Sequence, residues 1–109
     1  MPTTYKVLGQ SNPSATTLST LYTVPAATQT VVSSIVVANL AASAATFRIA
    51  VRPAGASIAN SQYIAYEITL GASDSTVLTL GLTLGATDVV SVYASTANVS
   101  FSAYGSEIA

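Results

Sequence analysis

The chain has 109 residues, with three basic and four acidic residues, no His and no Cys, and a net charge of -1. Acid, base and nucleophilic catalysis needs titratable groups held close together, so so sparse a set argues against an enzyme. Lys6, Arg48 and Arg52 are the only cations, too few and too scattered to grip a phosphate backbone, and without Cys no disulfide can reinforce the single modest core that this length allows.

The start, Met1-Pro2-Thr3-Thr4-Tyr5-Lys6, has no basic stretch followed by an apolar one and predicts no signal peptide. Strands are predicted at Tyr5 to Leu8 and Leu18 to Val24, the second stopped by Pro25, which removes a ladder donor. Mean hydropathy is high at +0.58, yet the densest apolar stretch, Val31 to Leu40, is broken by Ser33, Ser34 and Asn39. It predicts a strand buried on both faces, not a membrane span. Ala41 to Ala45 reads as a single turn or a loop.

Phe47, Ile49 and Val51 alternate with Thr46, Arg48, Ala50 and Arg52, a period of two that puts the first set on one face of a strand. Arg48 and Arg52 then share the solvent face about 13 Å apart. They would either anchor a carboxylate surface or act as solvated charges that discourage wrong sheet pairing. Beyond Pro53-Ala54-Gly55, Ile64, Tyr66, Ile68 and Leu70 alternate with Tyr63, Ala65, Glu67 and Thr69. The spacing of Tyr63 and Tyr66 predicts opposite faces, hence packing roles in place of a sugar-stacking platform.

Leu78, Leu80, Leu82 and Leu84 form a further alternating strand, and Val89 to Ala94 and Val99 to Tyr104 are two more. Leu70-Gly71-Ala72-Ser73-Asp74 and Leu84-Gly85-Ala86-Thr87-Asp88 are a near-repeat that predicts two equivalent corners, each closed by an Asp bonded to nearby backbone. Asp74 and Asp88 are also the best candidates for an ion such as calcium, although each loop carries one acid where calcium loops carry several. Asn98-Val99-Ser100 matches a glycosylation acceptor but lies at a predicted strand.

These elements predict an all-β chain, a single antiparallel β-sandwich domain over residues 1–109, jelly-roll or immunoglobulin-like, with about seven to eight short strands. No catalytic, cofactor-binding or metal residue is assigned. Arg48, Arg52, Tyr63 and Glu67 are the candidate interface residues. A nearly neutral surface of Thr, Ser and Ala costs little to desolvate against another protein, which suggests self-assembly or docking.

The segments Leu21-Tyr22-Thr23-Val24-Pro25-Ala26, Val32-Ser33-Ser34-Ile35-Val36-Val37-Ala38-Asn39 and Phe47-Arg48-Ile49-Ala50-Val51-Arg52-Pro53 resemble small virion structural proteins of tailed bacteriophages, including those infecting cyanobacteria. Asp88 to Ala94 and Phe101 to Ile108 extend the likeness over nearly the whole chain. Relatives often have glycine after the Val-Pro-Ala turn, where Ala27 stands here. The resemblance implies a virion protein assembled in the host cytoplasm, with a capsid decoration or cement role foremost: a homo-oligomer, a trimer, that bridges capsomers of the major capsid protein. Composition leaves neither nucleic acid nor membrane as a partner. Alternatives are a tail, baseplate or fibre component, and a carbohydrate-binding host-adhesion module using exposed tyrosines.

Overall fold

The computed structural model describes residues 2–109. Its strands are β1 (Thr3–Ser11), β2 (Ser19–Thr23), β3 (Gln29–Asn39), β4 (Ala45–Arg52), β5 (Tyr63–Leu70), β6 (Ser75–Leu84), β7 (Val89–Ala94) and β8 (Val99–Ile108). They form two four-stranded sheets, in the orders β1-β8-β3-β6 and β2-β7-β4-β5, and every pairing is antiparallel.

The pairs β1 with β8, β2 with β7, β3 with β6 and β4 with β5 describe one long hairpin rolled over on itself. The chain changes sheet at every connection except β4 to β5. This is the jelly roll, and it excludes the immunoglobulin arrangement.

Period-two alternation decides what faces the core. In β3 the side chains of Thr30, Val32, Ile35, Val37 and Asn39 are buried while the intervening residues are exposed or half-buried. The expected burial of this strand on both faces is therefore wrong. Its sheet has a second sheet on one side only, and Val31, Ser34, Val36 and Ala38 form part of the opposite, outer surface. In the core Phe47 and Phe101 meet edge to face, with centroids 6.0 Å apart and planes at 74°, within a cluster that includes Ile35, Ile49, Val37 and Val92. Such a T-shaped pair joins a residue of each sheet with a favourable quadrupole contact.

Two strands run longer than their apolar content suggests. β1 and β8 extend through Gln10, Ser11, Ser106 and Glu107 because each supplies ladder partners to the other along its whole length. In β6 the leucines do not all share a face: the register jumps between Val32↔Leu82 and Ser34↔Thr79, so Leu80 and Gly81 sit in a bulge and Leu80 is partly exposed.

The near-repeat does make two equivalent corners. The Asp74 amide donates to Gly71 O and the Asp88 amide to Gly85 O, both at 3.2 Å, with Ser73 and Thr87 at φ of 54° and 68°. The carboxylates differ in their bonds. Asp88 accepts from the Gly85 and Ala54 amides, whereas Asp74 accepts from the adjacent Ser75 amide.

Ala27 lies in the same left-handed region, at φ 55°. An L residue there crowds its own Cβ against the backbone, a cost that glycine avoids. Ala27→Gly is expected to stabilise the chain by about 0.5 to 1 kcal/mol, less what glycine adds to the freedom of the unfolded state. A urea midpoint that falls on this substitution would contradict the assignment of strain.

Candidate functional site

The outer face of the β2-β7-β4-β5 sheet carries a cluster of charged and aromatic side chains. It starts from Arg48 on β4, an interior strand. Because Phe47 and Ile49 point into the core, Arg48 must point outward. On β7 its direct partner is Tyr93, which faces the same way.

On β5 the register runs from Phe47↔Ile68 to Ile49↔Ala65, so both Tyr66 and Glu67 lie opposite the single residue Arg48. Glu67 takes φ 50° to accommodate the extra residue. A second shift, between Ile49↔Ala65 and Ala50↔Tyr63, re-aims the start of the strand. The predicted separation of Tyr63 and Tyr66 onto opposite faces is thus overturned: their rings touch edge to face, centroids 5.0 Å apart and planes at 77°.

The Arg48 guanidinium lies over Tyr93 at 4.2 Å and Tyr66 at 4.5 Å from the ring centroids, with Tyr63 at 6.0 Å. Its Nε and Nη2 donate to Glu67 Oε2 and Oε1, both at 3.1 Å. The paired fork fixes both side chains in one plane. Arg48 holds the Glu67 carboxyl below its usual pKa, and the bond to Glu67 in turn raises that of Arg48.

Arg52, on the same face, has a different task. Its Nε donates to Ala56 O at 2.7 Å and its Nη2 to Gly55 O at 3.0 Å, which ties down the loop between β4 and β5. Within that loop Gln62 closes a short turn, accepting from the Ala59 amide and donating to Ser57 O. The turn delivers Asn60 beside Tyr63 and Tyr66, where the three residues line an open concavity of about 430 Å³.

Neither arginine is a guard against wrong sheet pairing. Both lie on an interior strand whose edges are already occupied, and both are engaged by the chain itself. Of the four candidate interface residues, Arg48, Tyr63 and Glu67 come together in one cluster, and Arg52 supports the neighbouring loop. Sequence reasoning missed Tyr93 and Asn60. Tyr93 had a usable signal, since Val92 and Ala94 on either side are core residues and force it outward. Asn60 had none, because only the loop's hydrogen bonds bring it back to β5.

Asp74 and Asp88 do not meet. They precede and follow β6, whose ten residues separate them by roughly 30 Å. Among the described residues no group of three or more His, Cys, Asp or Glu could hold a metal ion.

A second polar cluster lies at one end of the sandwich. The buried Tyr22 hydroxyl donates to Glu107 and bonds Thr30 Oγ1 at 2.8 Å, while Lys6 Nζ lies 3.0 Å from Glu107. Burial and the adjacent carboxylate push Tyr22 up to about 12. The bonds from Tyr22 and Lys6 hold Glu107 below its usual value.

The signs follow from linkage. Between pH 10 and about 12 the unfolded chain releases the Tyr22 proton and the folded chain keeps it, so stability falls as pH rises through this window. At the acid end the Glu107 contribution, complete above the unfolded carboxyl's pKa, is lost as pH falls through its lower folded value. Urea melts from neutral pH to about 12 should show the alkaline decline, and Tyr22→Phe should flatten it relative to the wild type; equal slopes would refute the assignment.

No family model matches the chain, and the search of curated proteins finds no similar sequence.

Proposed function

We propose that this chain is a virion structural subunit, a capsid decoration or cement protein that assembles with copies of itself and bridges neighbouring capsomers. The observation that carries the reading is the outer face of the β1-β8-β3-β6 sheet. Ladder register puts Tyr5, Ser106, Val31 and Thr83 in one row, Val7, Tyr104, Ser34 and Thr79 in the next, and Gln10, Ser102, Val36 and Val77 in a third. None of these residues is charged. Tyr5, Val7, Val31, Val77 and Tyr104 are all exposed.

Lys6 and Glu107 belong to the same strands but lie on the other side of the sheet, paired with each other. A protein docking on the outer face therefore desolvates hydroxyls, aromatic rings and methyls and strands no charge, the pattern found in the centres of protein interfaces. Four strands about 4.8 Å apart, with roughly nine residues each, give a face of about 20 by 30 Å. Side-chain relief brings its accessible area near the ~800 Å² per partner of a standard interface.

The mechanism is avidity. Each subunit makes a modest contact, but linked subunits on a repeating shell engage it together, and the combined attachment far exceeds any one patch. The resemblance to small phage virion proteins supports the particle as the setting. Cryo-electron microscopy of the intact particle tests the proposal: density for this jelly roll in many copies on the head, with the β1-β8-β3-β6 face covered, is expected. A location confined to the tail favours the tail-component reading, and purified protein that stays monomeric and never binds heads lacking it overturns the proposal.

A further inference from the structure

We infer that the opposite face of the sandwich holds a binding site for a neutral saccharide, formed by Tyr66, Tyr63 and Asn60 with the Glu67 carboxylate beside them. Sugar recognition needs two things at once: an aromatic surface for the C–H faces of a pyranose, and fixed polar groups that both donate and accept for its hydroxyls. Tyr63 and Tyr66 meet at 77° and supply a wall and a floor. Tyr66 is 55% exposed, so its ring is open to a ligand.

The polar groups are in place before any ligand arrives. Glu67 spends one lone pair of each oxygen on Arg48 and keeps further acceptor capacity, with 43% of its side chain exposed. Among the described residues the Asn60 side-chain amide makes no hydrogen bond within the chain, which leaves a donor and an acceptor at the rim of the concavity. Arg48, sandwiched between Tyr66 and Tyr93, is a positioning residue: it holds the Tyr66 ring and the carboxylate in register. Arg52 does the same for the loop that carries Asn60.

Charge selects the ligand class. Arg48 and Glu67 neutralise one another, so the charges beside the two rings are paired with each other, and the site's donors and acceptors match a hydroxyl-bearing, uncharged ring. The volume of about 430 Å³ falls within the range of small-molecule sites. Its open form suits one or two residues at the end or along the side of a glycan. A shallow site of this kind binds weakly on its own, with Kd on the order of 1 mM, and gains strength when many copies are displayed together. The inference stands apart from the virion reading, because the site lies on the face away from the uncharged β1-β8-β3-β6 surface and needs only display, not a particular scaffold.

The test uses the full chain and free disaccharides: maltose, cellobiose, lactose, mannobiose and N,N′-diacetylchitobiose, followed by NMR. At least one is expected to shift the ring resonances of Tyr63 and Tyr66 in a saturable manner. Tyr66→Ala and Asn60→Ala, both at exposed positions, are each expected to weaken that binding roughly tenfold or more while the spectrum stays folded. Val77→Ser, on the other face, should leave it unchanged. The inference is overturned if no disaccharide produces a saturable shift, if Tyr66→Ala binds as well as the wild type, or if a sialylated or proline-rich ligand takes the site in preference to every neutral sugar.

Discussion

Gly105→Ala is expected to lower the stability of this chain by about 4 kcal/mol or more, a large share of the roughly 5 to 15 kcal/mol that holds a domain of this size together. A Cβ at Gly105 would lie 2.0 Å from the carbonyl oxygen of Val31, 3.0 Å from its carbonyl carbon and 3.1 Å from Val32 Cα. These are backbone atoms of β3, which is held between β8 and β6 and cannot step aside without breaking two ladders. The requirement is one of space, created where the Ser33 bulge presses β3 against β8.

Gly9 is constrained in the same way by Leu21 O at 2.1 Å, where β1 passes β2. Gly81 provides the contrast. Nothing lies within 4 Å of its Cβ position, but its φ is 116°, so Gly81→Ala should cost about 1 to 3 kcal/mol of backbone strain and no steric clash. Urea denaturation of the three variants checks the order, and a Gly105→Ala midpoint close to that of the wild type would show that β3 can yield.

Asn39→Ala is expected to cost about 3 kcal/mol. Asn39 closes β3 and is only 2% exposed. Its Nδ2 donates to Ser43 O at 2.8 Å, Gly71 O at 3.1 Å and Leu70 O at 3.2 Å, while its Oδ1 accepts from the Ala41 amide at 3.1 Å. One amide thus ties the β3–β4 connection to the end of β5 and joins the two sheets at that edge.

Alanine removes the donor and the acceptor together and leaves carbonyls and an N–H without their partners at a largely buried position. Asn39→Asp should be worse at neutral pH, since a carboxylate there would face three carbonyl oxygens with no positive charge to offset them. Hydrogen exchange at the Ala41 amide, accelerated in both variants, separates this cause from a general loosening. A loss below about 0.5 kcal/mol for Asn39→Ala would mean that water replaces the amide at little cost.

The candidate site was legible in its parts and not in its arrangement. Arg48 and Glu67 could be nominated because charges are so scarce that each outward one stands out. The parity of their spacing puts Tyr63 and Tyr66 on opposite faces, a rule that holds only for an unbroken ladder. The bulge at Tyr66 and Glu67 breaks it, and nothing in the residues from 63 to 70 announces a bulge: Glu67 takes a positive φ without being glycine or asparagine.

What the amino-acid order determined by itself is the set of strands and most of their inward faces. A two-residue hydrophobic period is a local property, and Phe47, Ile49, Val90 and Val92 need no distant partner to declare which side they bury. The pairing of β1 with β8 and β3 with β6, and so the jelly roll in place of the immunoglobulin order, was decided only in the tertiary structure. So were the one-sided burial of β3, the bulges that bring Tyr63 and Tyr66 together beside Arg48, and the close approaches at Gly9 and Gly105. All of these arise from contacts between segments far apart in the chain, where the fit of one backbone against another sets the register and local preference has no vote.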